Sequence, residues 1–142
     1  MPTRKASAAW EGGLRGGKGT FKGESGAIDG RYSFGSRFEE GPGSNPEELL
    51  AAAHAACFSM ALSAQLEGNG TPPTRVETNA ACTVEKAGEG FKITTMKLTT
   101  RATVPNIDAA KFQQLAKAAV EGCPVSQVLK GNIDVQLNAA LV

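Results

Sequence analysis

The longest uninterrupted hydropathy pattern in the chain runs from Leu49 to Leu66, where every residue except His54 and Gln65 is apolar or small and none carries a formal charge. Seven of these positions are Ala (51, 52, 53, 55, 56, 61 and 64), which lets neighbouring backbones approach closely. With no amphipathic stripe, the segment predicts a helix buried on every side. Its start is written in Ser44-Asn45-Pro46-Glu47-Glu48. Asn45 can cap, Pro46 suits a first position whose N–H has no partner, and the two carboxylates favour the positive end of the helix dipole. Gly68, Gly70, Pro72 and Pro73 end it.

Beyond that helix, Val76 to Glu85 alternates with Val76, Thr78, Ala80, Cys82 and Val84 on one side. A turn at Lys86–Gly90 and a return over Phe91 to Val104 predict a hairpin. The apolar parity of the second strand switches between Ile93 and Met96, which predicts a bulge. Asn106 or Asp108 caps a second helix carrying Phe112, Leu115, Ala116, Ala119 and Val120 on one face, and Gly122 stops it. Pro124 opens a short helix to Lys130 with Gly131 as its stop, and Ile133, Val135, Leu137, Ala139 and Leu141 alternate as a last strand. Residues 1–43 hold most of the 17 Gly and read as three short antiparallel strands, Ala6–Trp10, Thr20–Lys22 and Arg31–Phe38. The order predicts one α+β domain over residues 1–142, a buried central helix packed on mostly antiparallel sheet.

Composition narrows the function classes. A net charge of +1 and only eight aromatic residues (six Phe, one Tyr, one Trp) argue against nucleic acid as a partner. No apolar run follows Met1–Ser7, so no secretory signal is expected and the cytoplasm is the expected location. The Leu49–Leu66 run approaches membrane-spanning length, but His54, Ser59, Ser63 and Gln65 within it favour a core helix over a membrane partner. Gly12 to Gly19 nearly spells a phosphate loop, with Gly19 where a hydroxyl should follow Lys18 and no helix after it.

Chemistry rests on the three cysteines at 57, 82 and 123. Cys57 sits in the middle of the apolar helix, where burial raises a thiol pKa, so it is either inert or supplied with a cation from elsewhere. Cys123 precedes Pro124 at the N-cap of a helix, where amides and dipole favour a thiolate. Cys82 reads as core. Glu48, nine residues before Cys57, lies half a turn out of phase and roughly 13 Å along the axis. A site holding both must therefore be assembled from two chains, and Arg37 could arrive from the partner by the same logic.

Ser36-Arg37-Phe38-Glu39-Glu40-Gly41, Ser44 through Leu62 with His54-Ala55-Ala56-Cys57-Phe58 at its centre, and Gly122-Cys123-Pro124-Val125-Ser126-Gln127 together resemble the osmotically inducible protein C (OsmC) family of thiol peroxidases. The resemblance implies the OsmC fold and an intertwined homodimer with two interfacial sites. It implies Cys57 as peroxidatic thiol, Cys123 as resolving thiol, and Arg37 with Glu48 as the activating pair. Arg15 would replace Arg37 if the chain followed the related organic hydroperoxide resistance subgroup. The implied substrate is a small hydroperoxide, the implied reductant an external dithiol such as a lipoylated protein, and neither cofactor nor metal is needed.

Two readings compete. His54 with Cys57, Cys82 and Cys123 could form a Cys₃His zinc site, although His54 fits better as a residue hydrogen-bonded across a dimer interface. Alternatively the chain is a structural dimeric module with inert thiols. A redox sensor on the same fold is a third possibility.

Overall fold

Three short strands, β1 (Ala6–Glu11), β2 (Lys18–Gly23) and β3 (Asp29–Tyr32), pair antiparallel in that order in the computed structural model, which describes residues 1–142. Across this sheet Trp10 faces Gly19 and Gly19 faces Tyr32, and the two rings lie 5.3 Å apart. A Cβ on Gly19 would stand 2.4 Å from Tyr32 and 2.7 Å from Trp10, so the rings close over a position that must be glycine. The hydroxyl of a phosphate loop has no room there, and Lys18 already begins β2 rather than leading into a helix.

The third strand is shorter than the alternation predicts. It ends at Tyr32, and Phe34–Phe38 form a one-turn helix, α1. Local capping decides this: the Ser36 N–H donates to Ser33 Oγ at 3.1 Å, and the Ser33 N–H donates to Ser36 Oγ at 2.8 Å. Phe34 and Phe38 fit helical spacing as well as strand parity, and their rings meet at 5.0 Å. Asn45 Nδ2 donates to the Ser36 carbonyl at 2.9 Å, and Asn45 Oδ1 accepts the Glu48 N–H at 2.7 Å. The long helix α2 (Pro46–Gly68) thus starts at the expected cap.

Residues 1–49 form one compact unit and residues 50–142 another. In the second, β4 (Arg75–Ala87) and β5 (Gly90–Thr103) make the predicted hairpin. Thr83 pairs with Thr95 and Val84 with Ile93, so Thr94 is the extra residue of a bulge at the predicted parity switch. Asp108 caps α3 (Ala109–Gly122), accepting the Lys111 N–H at 2.8 Å, while Asn106 takes a left-handed turn with φ 64°. α4 (Pro124–Leu129) follows, and β6 (Asp134–Leu141) returns parallel to β5. The parallel pairing is a departure from a purely antiparallel sheet, made possible because α3 and α4 form the crossover that parallel neighbours need.

α2 is long and apolar enough to cross a membrane by length and composition alone. In the structure His54, Phe58, Leu62 and Leu66, spaced by four, are wholly buried, and the three apolar ones join the core with Met96, Leu98 and Ala102 of β5 and Phe112, Ala116 and Ala119 of α3. Burying each large apolar side chain contributes about 1.5–3 kcal/mol. Burial on every side is not what one chain provides: Ala52, Ala53, Ala56, Met60 and Ala64 are exposed, Met60 by 75%. A single sheet with its helices covers only one side of a cylinder.

Candidate active site

The two conspicuous thiols, 66 residues apart in sequence, meet: Cys57 Sγ and Cys123 Sγ lie 2.8 Å apart. Cys57 comes from the middle of α2, where the fully buried Phe58 and Leu62 fix the helix against the sheet. Cys123 comes from the joint between α3 and α4. Its N–H closes α3 by donating to the Ala119 carbonyl at 2.9 Å, and its own carbonyl accepts the Gln127 N–H at 3.0 Å, opening α4. Pro124 at the start of α4, with its fixed φ and no N–H to satisfy, suits this change of direction. Cys57 is partly exposed and Cys123 wholly buried.

The electrostatics of the pair are asymmetric. Burial pushes the Cys57 thiol up, the hydrogen bond with Cys123 adds to that, and the Val125 N–H offsets only part of it. Burial opposes charge on Cys123 too, but Cys57, the N–H groups of Ser126 and Val125, and the Ser126 hydroxyl together outweigh it and lower its pKa. No backbone N–H forms a capping hydrogen bond to the Cys123 sulfur, so the Ser126 and Val125 amides act by proximity at a helix start. Within residues 50–142, therefore, the first negative charge of the dithiol favours Cys123. Cys57 needs a cation to become the thiolate.

Cys82 lies on β4 facing Met96 and packs at the margin of the core. No three His, Cys, Asp or Glu side chains come together in a way that could hold a metal ion, so the Cys₃His arrangement is not assembled. His54 is hydrogen-bonded inside its own chain through Nε2, which lies 2.7 Å from Ser126 Oγ.

In residues 1–49 Arg37 is held by a carboxylate, and that carboxylate is Glu47 instead of the expected Glu48. Arg37 Nη2 donates to Glu47 Oε1 at 2.8 Å, and Nε donates to both carboxylate oxygens at 3.1 and 3.2 Å. The Glu47 side chain is only 7% exposed and that of Arg37 36%. Glu48 turns outward, its N–H taken by Asn45. Two adjacent glutamates in a first helical turn look alike in sequence; a rotation of about 100° per residue puts only one of them on the side of α1.

The Arg37 guanidinium also lies over the Phe38 ring, 5.1 Å from its centroid, and the Arg15 guanidinium lies over Phe34 at 4.6 Å. The two arginines weighed as alternatives thus flank one aromatic pair. Beside Arg37 is an apolar groove of about 240 Å³, walled by Trp10, Leu14, Tyr32, Phe34 and Phe38.

Residues 39–138 match the family model described as OsmC-like protein. The chain is 48% identical over 139 residues to the peroxiredoxin OsmC of Escherichia coli, covering 96% of this chain and 97% of that one. It is 35% identical over 126 residues to the organic hydroperoxide resistance protein OhrB of Bacillus subtilis, with 87% and 90% covered. Among solved structures, the crystal structure of B. subtilis OhrB superposes with a TM-score of 0.75 at 29% identity, covering 95% of this chain and 97% of that chain. A Legionella pneumophila protein described as an organic hydroperoxide resistance protein OsmC superposes with a TM-score of 0.78 over both full lengths, at 24% identity.

Proposed function

The chain belongs to the OsmC-like protein family, and from that premise we propose how its own residues carry out thiol-dependent reduction of organic hydroperoxides. It is a cysteine-based peroxidase of the kind its relatives' names describe. The observation that carries the assignment of roles is the 2.8 Å approach of Cys57 and Cys123. Cys57, the partly exposed thiol, is peroxidatic. Its thiolate attacks the distal peroxide oxygen, the O–O bond breaks, and the alkoxide leaves as an alcohol after taking a proton; the sulfur is left as sulfenic acid. Cys123 then displaces hydroxide from that sulfur to give a Cys57–Cys123 disulfide, which guards Cys57 against irreversible oxidation. An S–S bond of about 2.05 Å needs the sulfurs to close by less than 1 Å from where they stand.

The charge asymmetry of the dithiol gives Arg37 its role. A guanidinium near Cys57 reverses the preference for charge on Cys123, and Glu47 orients that guanidinium through its paired oxygens. Glu47 stands ten residues before Cys57 on one helix, a rise of about 15 Å, so the arginine that it holds serves the thiols of a second copy. We infer an intertwined homodimer, supported by the uncovered Ala52, Ala53, Ala56, Met60 and Ala64 stripe of α2. The aromatic groove beside Arg37 suits the organic part of a hydroperoxide, so organic hydroperoxides react faster than hydrogen peroxide. An external dithiol, such as a lipoylated protein, regenerates the thiols by exchange. The setting is cytoplasmic, and neither nucleic acid nor membrane is a partner.

The test is stoichiometric. One equivalent of cumene hydroperoxide removes two thiols per chain, and peptide mapping finds Cys57 joined to Cys123. Cys57→Ser abolishes consumption, whereas Cys123→Ser stops after a single turnover with a trappable sulfenic acid. Retention of both thiols in the wild-type protein would refute the assignment, and equal rates with hydrogen peroxide would remove the substrate preference.

A further inference from the structure

A second contact ties α2 to α4 beside the thiols. His54 lies three residues before Cys57 and Ser126 three residues after Cys123, so one turn along each helix the sulfur pair is matched by an imidazole and a hydroxyl, 2.7 Å apart. Both are buried, His54 completely and Ser126 to within 7% exposure. Nothing in the peroxide-reducing step uses either of them, and a leucine at position 54 would continue the apolar stripe of α2 without a polar atom to satisfy.

The hydrogen positions follow from which groups have partners. Burial pushes the His54 pKa down, so the ring is neutral and carries one N–H. His54 Nδ1 is buried without a hydrogen-bond partner. A buried N–H left unpaired is rarer and costlier than an unused acceptor, which places the proton on Nε2, donated to Ser126 Oγ. The Ser126 O–H is then free to donate in turn. Ser126 stands one turn into α4 from Cys123, and its hydroxyl is among the groups that favour charge on that sulfur.

We propose that His54 and Ser126 are positioning residues for the resolving step, a buried imidazole–hydroxyl pair that holds a donated hydrogen bond toward Cys123 Sγ and keeps that sulfur trained on Cys57. The inference rests on Cys123 being the resolving thiol. In that step an electron pair of the Cys123 thiolate forms the S–S bond, and the S–O bond of the Cys57 sulfenic acid breaks. Hydroxide leaves as water with the proton Cys123 gave up. The Cys57 sulfur is reduced as the Cys123 sulfur is oxidised. When the external dithiol reopens the disulfide, the same hydrogen bond stabilises Cys123 as the departing thiolate, so the incoming sulfur attacks Cys57. Exposure agrees, because Cys57 is open to solvent and Cys123 is not.

The experiment follows a single turnover by rapid quench with one equivalent of cumene hydroperoxide, trapping sulfenic acid with dimedone and quantifying the disulfide by mass. Ser126→Ala slows disulfide formation about tenfold or more, the range a hydrogen bond to a charged group commands, while the preceding loss of hydroperoxide stays within about twofold. With excess hydroperoxide the same variant accumulates sulfinic acid at Cys57. Ser126→Thr, which keeps the hydroxyl, and His54→Gln, which keeps a donor near Nε2, resolve within about threefold of wild type. Resolution in Ser126→Ala at the wild-type rate, or both steps slowed alike, overturns the inference. If the wild-type protein forms no Cys57–Cys123 disulfide, the underlying assignment of Cys123 has failed instead.

Discussion

Replacing Glu47 and Glu48 one at a time separates two neighbours that look equivalent in sequence. Glu47 receives three N–H contacts from Arg37 between 2.8 and 3.2 Å and is nearly buried. Hydrogen bonds to charged groups contribute about 1.5–3 kcal/mol each in favourable cases. Arg37 is 36% exposed, so solvent screens part of this, and the loss on Glu47→Gln should be about 1–2 kcal/mol of stability. On the proposed mechanism the effect on rate is larger in kind, because a guanidinium that swings away would no longer favour the Cys57 thiolate. If misplacement raises the barrier by about 1.4–2.8 kcal/mol, cumene hydroperoxide consumption slows about 10- to 100-fold. Glu48 is exposed and its carboxylate holds nothing, so Glu48→Gln should stay within about 0.5 kcal/mol in stability and about twofold in rate. Arg37→Ala should destabilise more than Glu47→Gln, by about 2–4 kcal/mol, since it strands a buried carboxylate. Urea unfolding and stopped-flow peroxide consumption read the two effects. A Glu48→Gln variant as slow as Glu47→Gln would refute the pairing.

Three further outcomes follow from the structure. Phe58 is wholly buried at the centre of the α2 stripe, so Phe58→Ala should lower unfolding free energy by about 3–5 kcal/mol, measured by urea denaturation. Burial holds His54 below the ordinary imidazole value near 6.5, so the unfolded chain binds a proton there that the folded chain refuses. The stability contributed is full above about pH 6.5 and is lost as pH falls below it, with a slope of at most about 1.4 kcal/mol per pH unit; His54→Gln should flatten that decline in thermal melts between about pH 7.5 and 5.5. Met60 is 75% exposed on the apolar stripe of α2, where the proposed homodimer would pack, so Met60→Glu should shift the sedimenting species toward monomer in analytical ultracentrifugation and slow turnover; an unchanged mass would count against that dimer.

Much of this molecule is readable from its residues, and the parts that are share a cause. The cap at Asn45, the stop at Gly122, the bulge near Thr94 and the amphipathic face of α3 each depend on neighbours within a few positions. The Cys-Pro joint placed Cys123 at a helix start for the same reason, and the three motifs around Arg37, Cys57 and Cys123 carried the family. Local preference also misled where two local patterns competed, as over Phe34–Phe38, where serine capping won against strand alternation. What sequence could not decide was which side of a helix meets which partner. Glu47 rather than Glu48 faces Arg37, one stripe of α2 is buried while another is bare, and His54 finds Ser126 in its own chain. These choices belong to the tertiary structure, because a 100° rotation per residue makes adjacent side chains diverge while their chemistry stays the same, and only the packed neighbours determine which rotation carries the function.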